Sequence, residues 1–115
     1  MTMSPRPVED LKEAEWQSWI VSLAKWLGWR VYHPKPAQLA GRWATHMAGD
    51  PGWPDLVLCH PRRGFVLVEV KSNTGRVSQS QRAWLDDLEA AGVECYVWRP
   101  RDWREVEARL KEVQS

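Results

Sequence analysis

The chain has 115 residues, 43% of them hydrophobic and 27% charged, with a formal net charge of +1. That length suits a single domain, 1–115, around one core, and that composition excludes a disordered or fibrous chain. No apolar run is long enough to cross a bilayer, and the opening MTMSPRPVED lacks the apolar stretch of a secretory signal, so a cytoplasmic protein is expected.

Residues 1–8, with two prolines, read as a loose leader. Trp16, Ile20, Ala24 and Leu27 recur at helical spacing, which predicts a helix over about 9–27, stopped by Gly28. At 100° per residue Glu13 falls on its apolar face, with Gln17 one turn later on the same side, whereas Glu15 falls opposite. Glu13 is thus either a carboxylate aimed at the core edge or a complement to the helix dipole. A short strand follows over about 29–33. Residues 34–53 carry Pro34, Pro36, Gly41, Gly49, Pro51 and Gly52 and read as a long connection, a type that is often functional. Lys35, Arg42 and His46 lie in it within reach of a phosphate, or as ordinary surface. His33, alone at a strand end, reads as structural more readily than as a ligand.

Residues 52–72, GWPDLVLCHPRRGFVLVEVKS, read as two apolar strands joined by a basic turn. Asp55 opens the first strand; Glu69 and Lys71 close the second. Side chains two apart on a strand share a face, so Glu69 and Lys71 point one way and Val66, Val68 and Val70 the other. Ser78 then opens a second helix whose inward face is Gln81, Trp84, Leu85, Leu88 and Ala91, ended by Gly92. Ser78-x-x-Gln81 is a capping box, although Gln81 on the inward face could instead bond near Glu69. A strand over 93–98 follows. A second capping box, Asp102-x-x-Glu105, opens a last helix with Trp103, Val106, Leu110 and Val113 on one face. The order α-β-β-β-α-β-α is that of a small α/β domain, a mixed sheet flanked by helices with a C-terminal helix added. The nine tryptophans fit core packing, and Cys59 and Cys95, which match no zinc or redox spacing, read as reduced core residues.

Charge is unevenly spread. Residues 56–85 carry five Lys/Arg (Arg62, Arg63, Lys71, Arg76 and Arg82) against one acid, Glu69, while residues 86–115 carry eight acids against five bases. A phosphate-bearing partner would lie on the basic part. Pairing the two strands as a hairpin brings Asp55 beside Glu69. Two converging carboxylates repel unless a cation sits between them, and hard oxygen donors with room for water suit Mg²⁺ or Mn²⁺. Such an ion would lower the pKa of a bound water and neutralise a phosphate oxygen. Lys71 would orient that water or stabilise the transition state, with Glu13 a further carboxylate. These are parts for hydrolysing a phosphodiester.

The pattern Pro54-Asp55 … Glu69-Val70-Lys71 resembles the signature of the PD-(D/E)XK nuclease superfamily, which has a restriction-endonuclease-like core. The ordered set EAEWQ, LGWRVYHP, GWPDLVL, VEVKS, SQSQRAWLDDLEAAG and CYVWRP resembles the stand-alone VRR-NUC domains of phages and prophages, over roughly residues 10–110. The resemblance implies Asp55, Glu69 and the Val70 carbonyl as metal ligands, Lys71 as the catalytic lysine, Glu13 as the acid of the first helix and Gln81 as the glutamine near the site. It implies Mg²⁺ or Mn²⁺, no organic cofactor, and DNA as substrate in a bacterial host. It also implies a likeness to Holliday-junction resolvases, hence branched DNA and a homodimer. The DNA contacts expected on this reading are Arg62, Arg63, Arg76, Arg82, Lys35 and Arg42. Alternatives are a flap, nick or non-selective nuclease, a DNA-binding module without catalysis, and a purely structural α/β domain.

Overall fold

The computed structural model of the chain describes residues 6–34, 37–39, 42–44 and 48–115. A 3-10 turn, Val8–Asp10, precedes α1 (Glu13–Trp26). Then come β1 (Arg30–Tyr32), β2 (Ala37–Leu39), β3 (Arg42–Ala44), β4 (Leu56–His60), β5 (Gly64–Val70), α2 (Gln79–Ala90) and β6 (Cys95–Trp98). A second 3-10 turn, Pro100–Asp102, leads into α3 (Trp103–Lys111). Apart from the β2–β3 hairpin, this is the order expected. The hairpin corrects the reading of 34–53 as plain connection, because strands of three residues carry too little alternation to register in the pattern.

The main sheet runs β1-β4-β5-β6. β4 is antiparallel to both β1 and β5, and β5 is parallel to β6. A parallel pair needs a crossover, and α2 supplies it. On one face Leu56, Leu58, Val66, Val68, Val70 and Trp98 join Trp16, Ile20 and Ala24 of α1 and Val106 and Leu110 of α3 in one buried cluster. On the other face α2 brings in Leu85, whose carbonyl accepts from Cys95 Sγ at 3.6 Å. Every residue of β5 from Val66 to Val70 is buried as a result. A strand covered on both faces reads as a continuous apolar run, and Glu69 is its one interruption.

Two buried indoles tie the helices to the sheet edge. Trp16 Nε1 donates to the Trp98 carbonyl at 2.9 Å, and Trp29 Nε1 donates to the Leu110 carbonyl at 2.9 Å. Each gives a large apolar body a satisfied polar tip.

Three local expectations are corrected. The first helix starts at Glu13, not near residue 9: Lys12 is extended, and its N–H donates to Glu15 at 3.0 Å. Glu13 is therefore the exposed first residue of α1, and the apolar stripe begins a turn later at Trp16. Asp102 makes no side-chain cap on α3; its carboxylate accepts from the Arg99 N–H at 3.0 Å, and Val113 lies beyond the helix, half exposed. The cysteines are free, but Cys59 is exposed and Cys95 only partly buried. Cys59 pairs with Phe65, itself 49% exposed, at the end of the sheet that α2 leaves open. Among the described residues no helix is long and apolar enough to cross a membrane.

Trp16→Phe removes the indole donor from a fully buried position while keeping most of the ring. Urea unfolding should show a loss of about 1–2 kcal/mol with an unchanged denaturant slope.

Candidate active site

The hairpin register places Leu56 opposite Val68, so Asp55, one residue before β4, comes beside Glu69. Asp55 is fixed by its own carboxylate: Oδ2 accepts the Val70 N–H at 2.8 Å. Glu69 is 1% exposed. Its Oε1 accepts from Gln81 Nε2 at 3.2 Å and stands 4.0 Å from Lys71 Nζ. Its Oε2 is buried and has no hydrogen-bond partner. An unpaired buried carboxylate oxygen is costly, and this one belongs to the side chain that breaks the apolar run of β5.

Burial, followed by a hydrogen bond shared with Asp55 and by the negative charge of Asp55, pushes the Glu69 carboxyl from its ordinary 4.5 up to about 9. Lys71 pulls the other way, and the charge of Glu13 adds to the rise. Burial and the facing Asp55 carboxylate thus both favour the protonated form of Glu69.

The model of the VRR-NUC domain matches residues 8–102, from the turn before α1 to the turn before α3. The chain belongs to the VRR-NUC domain family. It is a nuclease-type domain with a restriction-endonuclease-like fold, and DNA is the substrate such a domain implies. No curated protein and no solved structure matches the chain at a significant level.

In this VRR-NUC domain the expected site residues do not all fall together. Asp55, Glu69, Lys71 and Gln81 are brought together, with the Val70 backbone between Glu69 and Lys71. Glu13 approaches from the start of α1, near enough for its charge to reach Glu69, but it does not complete a cage. Among the described residues no group of three or more His, Cys, Asp or Glu converges as a ready metal site. Arg76, in the loop after Lys71, and Arg82, next to Gln81 in the chain, are exposed, and Arg82 stands 3.9 Å from Asp86. Arg62 and Arg63 lie in the β4–β5 turn at the opposite end of the hairpin, roughly 15 Å away at ~3.3 Å per residue. The Arg63 side chain bonds the Lys111 carbonyl and its own carbonyl accepts from Arg109 Nη2 at 2.9 Å, so Arg63 anchors the end of α3. Lys35, His46 and the side chain of Arg42 lie outside the described residues.

The surrounding shell explains why the acids converge. Gln81 does both of the things that the sequence offered as alternatives. Its Oε1 accepts the Ser78 N–H at 2.9 Å, closing the capping box, while its Nε2 donates to Glu69. Gly52 has φ +102°, and a Cβ there would stand 2.5 Å from the Ser80 carbonyl group. Only glycine lets the segment before Asp55 lie this close to the first turn of α2. Trp53 meets Trp84 edge-on at 5.0 Å, and Trp84 Nε1 donates to the Asp50 carbonyl at 3.2 Å. Beyond Lys71, Arg99 Nη1 donates to the Ser72 and Gly75 carbonyls at 2.6 and 2.7 Å, pinning the turn that packs on the lysine stem.

Arg99 was not foreseen, since a lone arginine after a strand carries no spacing signal. His33 takes the structural role that its position suggested: Nδ1 meets the Asp55 carbonyl at 3.1 Å, and Nε2 meets Gln17 Nε2 at 2.7 Å.

Because the folded state binds the Glu69 proton more tightly than the unfolded chain, this group's contribution to stability is full below pH 4.5 and drains away up to about pH 9. In EDTA the melting temperature of the protein should therefore fall as pH rises from 5 to 9. Glu69→Gln, which mimics the protonated form, should flatten that fall and melt at least ~5 °C above the parent at pH 8.5.

Proposed function

We propose that the protein is a Mg²⁺- or Mn²⁺-dependent endonuclease that hydrolyses phosphodiester bonds in DNA. The observation that carries this reading is the buried Glu69 carboxylate facing half-buried Asp55, with Glu69 Oε2 lacking any partner and the Lys71 amine alongside. Two hard carboxylates and a nearby backbone carbonyl fit an ion that keeps several waters and takes further oxygens from a phosphate. Asp55, Glu69 and the Val70 carbonyl would hold it, with Glu13 adding negative charge from α1.

When bound, the ion would lower the pKa of a coordinated water and offset charge on a phosphate oxygen. The protein's own groups do the rest. Gln81 fixes the rotamer of Glu69 by its N–H, and the Val70 N–H fixes that of Asp55. Lys71, 15% exposed and 4.0 Å from Glu69, would offset the negative charge that gathers on the pentacoordinate phosphorus. Arg76 and Arg82, both exposed, would bind the DNA backbone through their guanidinium donors.

Branched DNA as the preferred substrate and a homodimeric assembly extend the proposal. Both rest on the likeness to junction resolvases. Exposed Tyr32 and Phe65, on the open half of the sheet face, add apolar surface suited to a second copy.

The reading is tested by incubating the protein with a labelled four-way junction, a flap and a linear duplex in Mg²⁺, Mn²⁺ or EDTA. Cleavage should require the ion. Asp55→Ala and Glu69→Ala should abolish it while DNA binding persists, and full activity in either would remove the assignment. Lys71→Ala should lower the single-turnover rate at least ~100-fold, with DNA affinity little changed. Glu13→Ala should slow cleavage more than Glu15→Ala, whose loss falls on the helix start; the reverse order would contradict the placement of Glu13.

A further inference from the structure

Asp55 is gripped at both ends. Its carboxylate is held by the Val70 N–H, and its backbone carbonyl receives a bond from a side chain, His33 Nδ1, at 3.1 Å. The β1–β4 register shows why a side chain is used. Arg30 lies opposite Cys59, Val31 opposite Leu58 and Tyr32 opposite Val57. Continued by two residues, that register sets Pro34 opposite Asp55. Proline has no N–H, so the ladder has no backbone donor to offer there. The imidazole of the preceding residue supplies one instead.

The direction of the bonds follows from the groups. A carbonyl only accepts, so Nδ1 carries the proton and Nε2 presents its lone pair. Gln17 Nε2, 2.7 Å away, then donates to it. Both ring nitrogens are thereby engaged within the protein. Gln17 stands one turn after Glu13 on α1, so one chain of bonds runs from the helix that carries Glu13 to the residue that opens β4. Gln17 and His33 are both half-buried and both line an open groove of about 280 Å³ with Ser18, Val21 and Ser22.

We infer that Gln17 and His33 are positioning residues that set the backbone of Asp55, and through it the aim of its carboxylate at Glu69. The inference rests on the nuclease reading for its purpose but not for its geometry. Neither residue touches the reacting phosphate; their contribution passes through Asp55. A carboxylate displaced by about 1 Å can cost ~100-fold in rate, so a donor replacing an absent backbone N–H is not a trivial part of such a site.

The test uses the full chain, labelled with ¹⁵N and free of metal. His33 should carry its proton on Nδ1. The Val70 amide reports on the Asp55 carboxylate and should exchange slowly. His33→Leu should shift that amide and speed its exchange at least ~10-fold, while amides in the β5–β6 ladder stay protected. His33→Asn, whose amide N–H overlays Nδ1, should restore protection to within about threefold of the parent. Gln17→Leu should act in the same direction, and adding it to His33→Leu should bring little further change, because the two share one chain of bonds. Should His33→Leu not fold, the tautomer in the parent and the Gln17→Leu amide decide the matter. A proton on Nε2, or a Val70 amide indifferent to His33→Leu or Gln17→Leu, would overturn the inference. In single-turnover cleavage with Mn²⁺, His33→Leu should slow the reaction about 10-fold at unchanged DNA affinity. A parent chain that cuts no DNA would sink the nuclease reading and leave the amide result to judge the positioning pair by itself.

Discussion

The arrangement turns on the buried carboxylate of Glu69 placed against that of half-buried Asp55. Burial alone disfavours the charge on Glu69, and Asp55 makes it worse. Separation would relieve the conflict, but the hairpin register forbids it: the residue before β4 must lie beside the penultimate residue of β5. A proton on Glu69 eases it, and burial and Asp55 both push that carboxyl's pKa upward. On the proposed function a divalent ion would relieve it better, because it would satisfy both carboxylates at once and give Glu69 Oε2 a partner.

Most of the nearby irregular structure serves to keep that conflict in place. Gln81 closes the cap of α2 with its oxygen and orients Glu69 with its nitrogen, so one side chain links a helix start to the acid. Gly52 allows the segment before Asp55 to lie on that same helix turn, with Trp53 and Trp84 packed beside it. Arg99 holds the turn after Lys71 through two carbonyls. Behind the sheet, the indoles of Trp16 and Trp29 bond to carbonyls at the ends of β6 and α3, so the apolar layer is fixed in register as well as packed. The site is thus a rigid product of the fold, not of a mobile loop.

Periodicity and punctuation made the main architecture legible. Helical spacing in α1, α2 and α3 and the apolar runs of β4 and β5 gave the element order, and the two-residue alternation put Glu69 and Lys71 on one face. The spacing of Asp55, Glu69 and Lys71 also exposed the convergence of the acids. Contacts between elements far apart in the chain were less readable. Nothing in the pattern around residue 11 announces the break before α1, because Glu15 caps the Lys12 N–H from within an unbroken helical pattern. Glu13 was placed on the apolar stripe by angle, although as the first residue of α1 it has no preceding turn to pack with. The basic turn at Arg62 and Arg63 stands out by charge, and it sits at the end of the hairpin far from Asp55 and Glu69. Arg99 and Gln17 act through backbone carbonyls or a ring nitrogen, and such bonds leave no spacing to find.

The most direct measurement is a crystal soaked in Mn²⁺ with its anomalous scattering recorded. If the acids hold an ion, one strong peak appears between the Asp55 and Glu69 carboxylates and close to the Val70 carbonyl, with Glu69 Oε2 turned onto it. Carboxylates that turn away from each other, with no ion between them at saturating Mn²⁺, would contradict the metal assignment.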